Sequence, residues 1–114
     1  MSSTNVGLAS RIVVRTSAIH GKGVFARRRL RRGAYIGTFE GSPTTRDGTY
    51  VLWVRRADGS IEGVRGRNAL RFLNHASDPN AEFVGDELVA IRNIQPGAEI
   101  TLHYGDDWDD LDDA

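Results

Sequence analysis

The 114-residue chain has no cysteine. That absence excludes disulfides and thiolate metal sites together, and it suits a reducing cytoplasm. Histidine is scarce. His20, His75 and His103 show no helical pairing, and the carboxylates gather near the end of the chain rather than around them, so no metal site is expected. No apolar run approaches the roughly 20 residues that span a bilayer. The opening MSSTNVGLAS has neither the basic start nor the apolar centre of a secretory signal, so the expectation is a soluble, cytoplasmic domain with no membrane partner. Neither Ser17 nor Ser77 sits in a nucleophile elbow, which disfavours a serine hydrolase. Lysine is nearly missing too: Lys22 is the only one among 15 basic residues.

Glycine, by contrast, is plentiful at 13 residues, and the apolar runs are short. This predicts one mainly β domain with many turns and little helix. Residues 12–14, 23–26 and 35–39 read as strands. Residues 50–56 and 60–64 read as a hairpin about Ala57-Asp58-Gly59, with Asp-Gly supplying the positive φ angles of a tight turn. A second hairpin is expected about Gly85-Asp86, and a turn at Gln95-Pro96-Gly97. Residues 68–73 read as one helical turn capped by Asn68. In 99–104 the alternation sends Ile100, Leu102 and Tyr104 to one face and Glu99, Thr101 and His103 to the other, so Tyr104 is expected to point inward. Phe39, Trp53 and Phe83 suit a core.

Charge is balanced in total but lopsided in order. Residues 1–71 hold 14 basic against 4 acidic side chains, and residues 72–114 hold 1 against 11. The halves can neutralise each other on folding, or each can seek a partner.

Three stretches carry the functional signal: "GKGVFA" from Gly21, "RFLNHASDPN" from Arg71, and "GAEITLHYGDDW" from Gly97. In order and separation they resemble the SET domain of protein lysine methyltransferases, over about residues 11–108. The organisation expected is a flexible N-terminus at 1–10, the SET domain at 11–105, and an acidic tail at 106–114. The resemblance implies a β-clip-like fold of small curved sheets. Its C-terminal segment passes beneath an earlier loop as a pseudoknot and brings Asn74 and His75 beside Tyr104. It further implies S-adenosyl-L-methionine as cofactor, held by Gly21, Lys22, Gly23, Arg71, Asn74 and His75, with Trp108 over the adenine. Tyr104 becomes the catalytic residue, and Phe39, Phe83 and Leu102 the substrate-binding ones. The substrate is a lysine on a basic protein or peptide, of histone-like or ribosomal type, which the acidic tail would attract.

The sequence also departs from the family pattern. No cysteine cluster follows the tyrosine, so the zinc-bearing closing segment of many relatives is missing, and the acidic tail or a second copy in a homodimer must serve instead. Phe39 and Leu102 stand where relatives often carry aromatic or phenolic side chains, which suggests room for more than one methyl addition. Two rival readings remain. One is a catalytically silent SET-like module that binds a basic partner, against which Tyr104 argues. The other is a nucleic-acid binder using Arg27, Arg28, Arg29, Arg31 and Arg32, disfavoured because no aromatics interleave to stack bases.

Overall fold

The structure, a computed structural model, describes residues 7–104. One helical turn, α1 (Leu8–Arg11), leads into β1 (Ile12–Thr16), β2 (Lys22–Ala26), β3 (Tyr35–Thr38), β4 (Gly41–Thr44), β5 (Val51–Arg55) and β6 (Ile61–Gly66). A 3-10 turn (Ala69–Phe72) then precedes β7 (Asn74–His75), β8 (Ala81–Val84), β9 (Glu87–Ala90) and β10 (Glu99–Leu102). Among the described residues helix is confined to two four-residue pieces, because no segment of them carries a sustained period of 3.6. Thus α1 lies across the start of the domain expected from residue 11.

The strands form three small sheets, ordered β1-β2-β10-β7, β3-β9-β8 and β4-β6-β5. Neighbours are antiparallel except β10 and β7, which run parallel with Thr101 opposite Asn74 and Leu102 opposite His75. Val24, Ile36, Leu70, Leu88, Ile94 and Ile100 are buried in one core shared by all three sheets, together with Val54 and Val64 of the β5–β6 hairpin. The last strand therefore enters between β2, from the start of the chain, and β7, from its middle.

Both expected hairpins form, but the first uses a different turn. Gly59 has φ 89°, while among the described residues none other than glycine has a positive φ, so Asp58 keeps an ordinary backbone. The Gly59 N–H donates to the Arg56 carbonyl at 3.0 Å and the Arg56 N–H to the Ser60 carbonyl at 2.8 Å. The expected three-residue loop thus closes on one left-handed glycine, not on positive φ at both Asp58 and Gly59. Asn68 does precede the 3-10 turn but does not cap it with its side chain. Its Nδ2 donates instead to the Thr38 carbonyl at 2.8 Å, tying the turn to β3.

Strand β10 also differs from its alternating pattern. Thr101 is as buried as its neighbours because β10 is flanked on both edges, and the strand stops at Leu102, before the tyrosine. Tyr104 is 46% exposed, yet its hydroxyl reaches inward to the Leu73 carbonyl.

Candidate active site

The loop after β7 straddles β10 and fastens it with side chains. Asn80 Nδ2 donates to the Glu99 carbonyl at 2.8 Å, and its Oδ1 accepts the Thr101 N–H at 2.8 Å. At the other end of the loop the Ala76 N–H donates to the Leu102 carbonyl at 2.8 Å. An asparagine amide mimics a peptide group, so Asn80 extends the ladder where the backbone itself has turned away. This loop-over-strand crossing fixes Asn74 and Tyr104 relative to each other.

Asn74 is buried, and its Nδ2 faces three oxygens: the His20 carbonyl at 3.1 Å, the Lys22 carbonyl at 3.0 Å and Glu99 Oε2 at 2.8 Å. Ser17 Oγ holds the same carboxylate from the other side, at 2.7 Å and 2.9 Å. Gly23 is what allows this approach. A Cβ there would lie 2.2 Å from Glu99 Oε2 and 3.1 Å from Asn74 Nδ2. Gly21, with φ 45°, has open space where a side chain would be.

Tyr104 follows directly. Its N–H donates to His75 Nδ1 at 2.9 Å, and its ring centroid stands 5.3 Å from that of His75, which in turn lies 4.9 Å from His103. With the hydroxyl on the Leu73 carbonyl, both ends of the tyrosine are tied to the segment preceding the loop. Burial, reinforced by the negative charge of Glu99, raises the phenol above its ordinary pKa, so it stays protonated at neutral pH.

Lys22 and Arg71 both approach Phe72, with the Lys22 ammonium 5.7 Å and the Arg71 guanidinium 4.2 Å from its ring centroid. Arg71 Nη1 is also tied to the carbonyls of Arg67 and Asn68, each at 2.9 Å. Phe39 is buried at 6% exposure and packs edge to face on Phe83, 5.8 Å between centroids, so both carry core packing. Leu102 is half-buried opposite His75. Trp108 lies outside the described residues.

Two open grooves mark the opposite kind of surface. One of about 610 Å³ lies over Pro43, Arg46, Trp53 and Ile61, and another of about 380 Å³ touches Phe39, Arg56 and Asp86. Neither lining includes Asn74, His75 or Tyr104. Convergent hydrogen bonding locates the candidate site. Three of its residues are not legible from the sequence: alternation puts Glu99 on the face opposite Tyr104, Ser17 lies in no nucleophile elbow, and nothing local marks Asn80; the two asparagines bracketing the loop are the available signal.

The family model described as "SET domain" matches residues 21–105. Among curated proteins, the chain is 32% identical to the histone-lysine N-methyltransferase set9 of Aspergillus terreus, over 83% of this chain and 17% of that protein. It is 29% identical to the histone-lysine N-methyltransferase MEDEA of Arabidopsis thaliana, over 82% and 16%. The chain therefore spans less than a fifth of the length of these relatives. Among solved structures, the methyltransferase domain of human histone-lysine N-methyltransferase SETMAR superposes with TM-score 0.70 at 21% identity, covering 82% of this chain and 44% of that one. The methyltransferase domain of human PR domain-containing protein 2 gives 0.67 at 20% identity, covering 91% and 84%. At those identities the likeness is one of fold.

Proposed function

The chain belongs to the SET-domain family, and from that premise we propose that it transfers a methyl group from S-adenosylmethionine to a lysine side chain of a basic protein or peptide. One observation carries the reading. The parallel pairing of β7 with β10 brings the buried amide of Asn74 and the phenol of Tyr104 to the two ends of one short crossing. The relatives are named histone-lysine methyltransferases, which supports a histone-like substrate.

The residues suit the cofactor. Two carbonyls and a carboxylate converge on Asn74 Nδ2, giving an acceptor-rich, anionic cradle of the kind an ammonium takes, while Lys22 and Arg71 supply positive charge nearby for a carboxylate. When bound, S-adenosylmethionine supplies a methyl group on a sulfonium, whose bonding pair returns to sulfur as the new bond to nitrogen forms.

The chain's own part is positioning. Tyr104 donates a hydrogen bond from its hydroxyl to the Leu73 carbonyl, which fixes where its oxygen can accept CH···O contacts from a methyl group. With its pKa raised, the phenol is no proton acceptor at neutral pH. The lysine must shed its proton to solvent before attack. The Tyr104 backbone cannot drift, because His75 Nδ1 holds its N–H. Orientation of this kind can lower a barrier by about 7 to 11 kcal/mol.

The test is transfer of label from S-adenosylmethionine to lysine peptides of histone type. Tyr104→Phe is expected to lower kcat on the order of a hundredfold, the cost of removing one preorganised polar contact, while cofactor affinity is retained. Calorimetry that detects no binding of S-adenosylmethionine to the intact chain overturns the reading.

A further inference from the structure

We propose that the exposed face of residues 27–32 is a docking surface for duplex nucleic acid, gripped through its phosphate backbone. Five of these six residues are arginine, and Arg27, Arg28, Arg29, Arg31 and Arg32 are all exposed, while Leu30 alone is buried. Among the described residues the ion pairs join Arg56 to Glu62 and Asp86, and Arg92 to Asp78; none of them reaches the loop. Five like charges within six residues repel one another.

The loop is also held in shape. Leu30 and Ile94 exchange both backbone hydrogen bonds, at 2.9 Å and 2.8 Å, so the buried leucine anchors the middle of the loop. The Arg27 N–H donates to the Arg11 carbonyl at 2.8 Å, the Arg32 N–H to Asn93 Oδ1 at 2.9 Å, and the Gly33 N–H to the Ala90 carbonyl at 2.8 Å. A fixed backbone presents the guanidiniums together rather than as a flexible tail. Ordering such a loop then costs little at the moment of binding.

The chemistry of the occupant follows from the side chains. Guanidinium is planar, permanently charged and bidentate toward phosphate oxygens, and this loop contains no lysine. The lack of aromatics argues against stacking on single-stranded bases. It says nothing against a duplex, whose phosphates alone supply the attraction. The surface thus fits a sequence-independent contact. It requires neither the methyl donor nor a peptide, so its failure and the failure of the methyltransferase reading are separable.

The experiment is fluorescence anisotropy of a short labelled DNA duplex with the full chain across a salt series. The comparison is with the triple variant Arg28→Gln, Arg29→Gln, Arg31→Gln. Arg27 is spared because its Nε donates to the Ile12 carbonyl at 3.0 Å. Removing three phosphate contacts is expected to flatten the log affinity against log salt slope by about 2.7 and to weaken binding at least tenfold. The triple lysine variant keeps the charge and is expected to keep the slope, which separates charge from any effect on folding. Equal slopes for wild type and the glutamine variant overturn the proposal. So does unchanged DNA binding with altered sedimentation, which would assign the loop to the acidic stretch of a second copy.

Discussion

Two of the sheets solve the same problem by different means. In β4-β6-β5 the strands are joined by a local hairpin of five paired residues and by the four-residue pairing of β4 with β6, so the backbone supplies most of the cohesion. Its side chains can then remain at the surface, as Trp53 at 44% and Ile61 at 58% exposure show. In β1-β2-β10-β7 the closing contact is a parallel pair of two residues between segments far apart in sequence. A long loop must be closed for few ladder bonds, and the deficit is met by amide and carboxylate side chains: Asn80 on β10, Asn74 and Ser17 on Glu99. Where the backbone cannot hold a crossing, buried polar side chains do, and the same groups become the site.

The sharpest way to break this contrast is Asn80→Ala. It leaves the Glu99 carbonyl and the Thr101 N–H without their partner, at a cost of about 2 to 4 kcal/mol, measured by urea unfolding. Beside the other sheet Asp47→Ala removes two exposed bonds, those that Trp53 Nε1 and the Gly48 N–H donate to Asp47 Oδ1, and is expected to leave the midpoint almost unchanged. Similar losses for both would refute the distinction.

A pair of glycines sharpens it further. A Cβ on Gly41 would lie 1.8 Å from the Arg65 carbonyl oxygen, so β4 must leave β6. Gly41→Ala is expected to cost about 1 to 3 kcal/mol as an overpacked contact, with cofactor binding retained. At Gly23 the clash is with the end of the Glu99 side chain, which can swing away. Gly23→Ala, which displaces Glu99 from Asn74 and Ser17 but moves no backbone, is therefore expected to cost less stability than Gly41→Ala while weakening S-adenosylmethionine at least tenfold, about 1.4 kcal/mol, in calorimetric titration. The reverse pattern, a destabilised Gly23→Ala with intact affinity, would place Asn74 and Glu99 in the scaffold alone.

The same contrast explains what was legible beforehand. Strands with alternating or apolar runs, such as Val51–Arg55 and Glu99–Leu102, announced themselves, as did turns at Gly85 and Gly97, whose φ values of 63° and 86° only glycine adopts readily. Strand β4 did not, because Gly41 and Pro43 argue against a strand. It forms on an edge, where a proline lacking an N–H is tolerated. Strand β7 is two residues long and exists only because β10 lies beside it. The meeting of His75 with Tyr104 is implied by family resemblance alone; no local pattern specifies a contact 29 residues apart. The role of Glu99 was hidden for the same reason, since alternation assigns a face but not the partner that covers it.

The smallest expected effect concerns pH. Tyr104 loses its proton, in the folded chain, above the ordinary tyrosine value of 10.0 because its ring is partly buried and Glu99 is near. Below that value folded and unfolded chains are both protonated there, and the group contributes no pH dependence. As pH rises past 10.0 the unfolded chain releases the proton first. The folded state then binds more protons, so the slope of unfolding free energy against pH is negative and stability falls until the folded value is passed. The other tyrosines titrate in both wild type and Tyr104→Phe, so the difference between the two isolates this group. The urea midpoint of wild type relative to Tyr104→Phe is expected to be constant below pH 10.0 and to decline above it. A difference that stays flat through that range would mean that the phenol titrates as in an unfolded chain, and that the crossing leaves its hydroxyl in water.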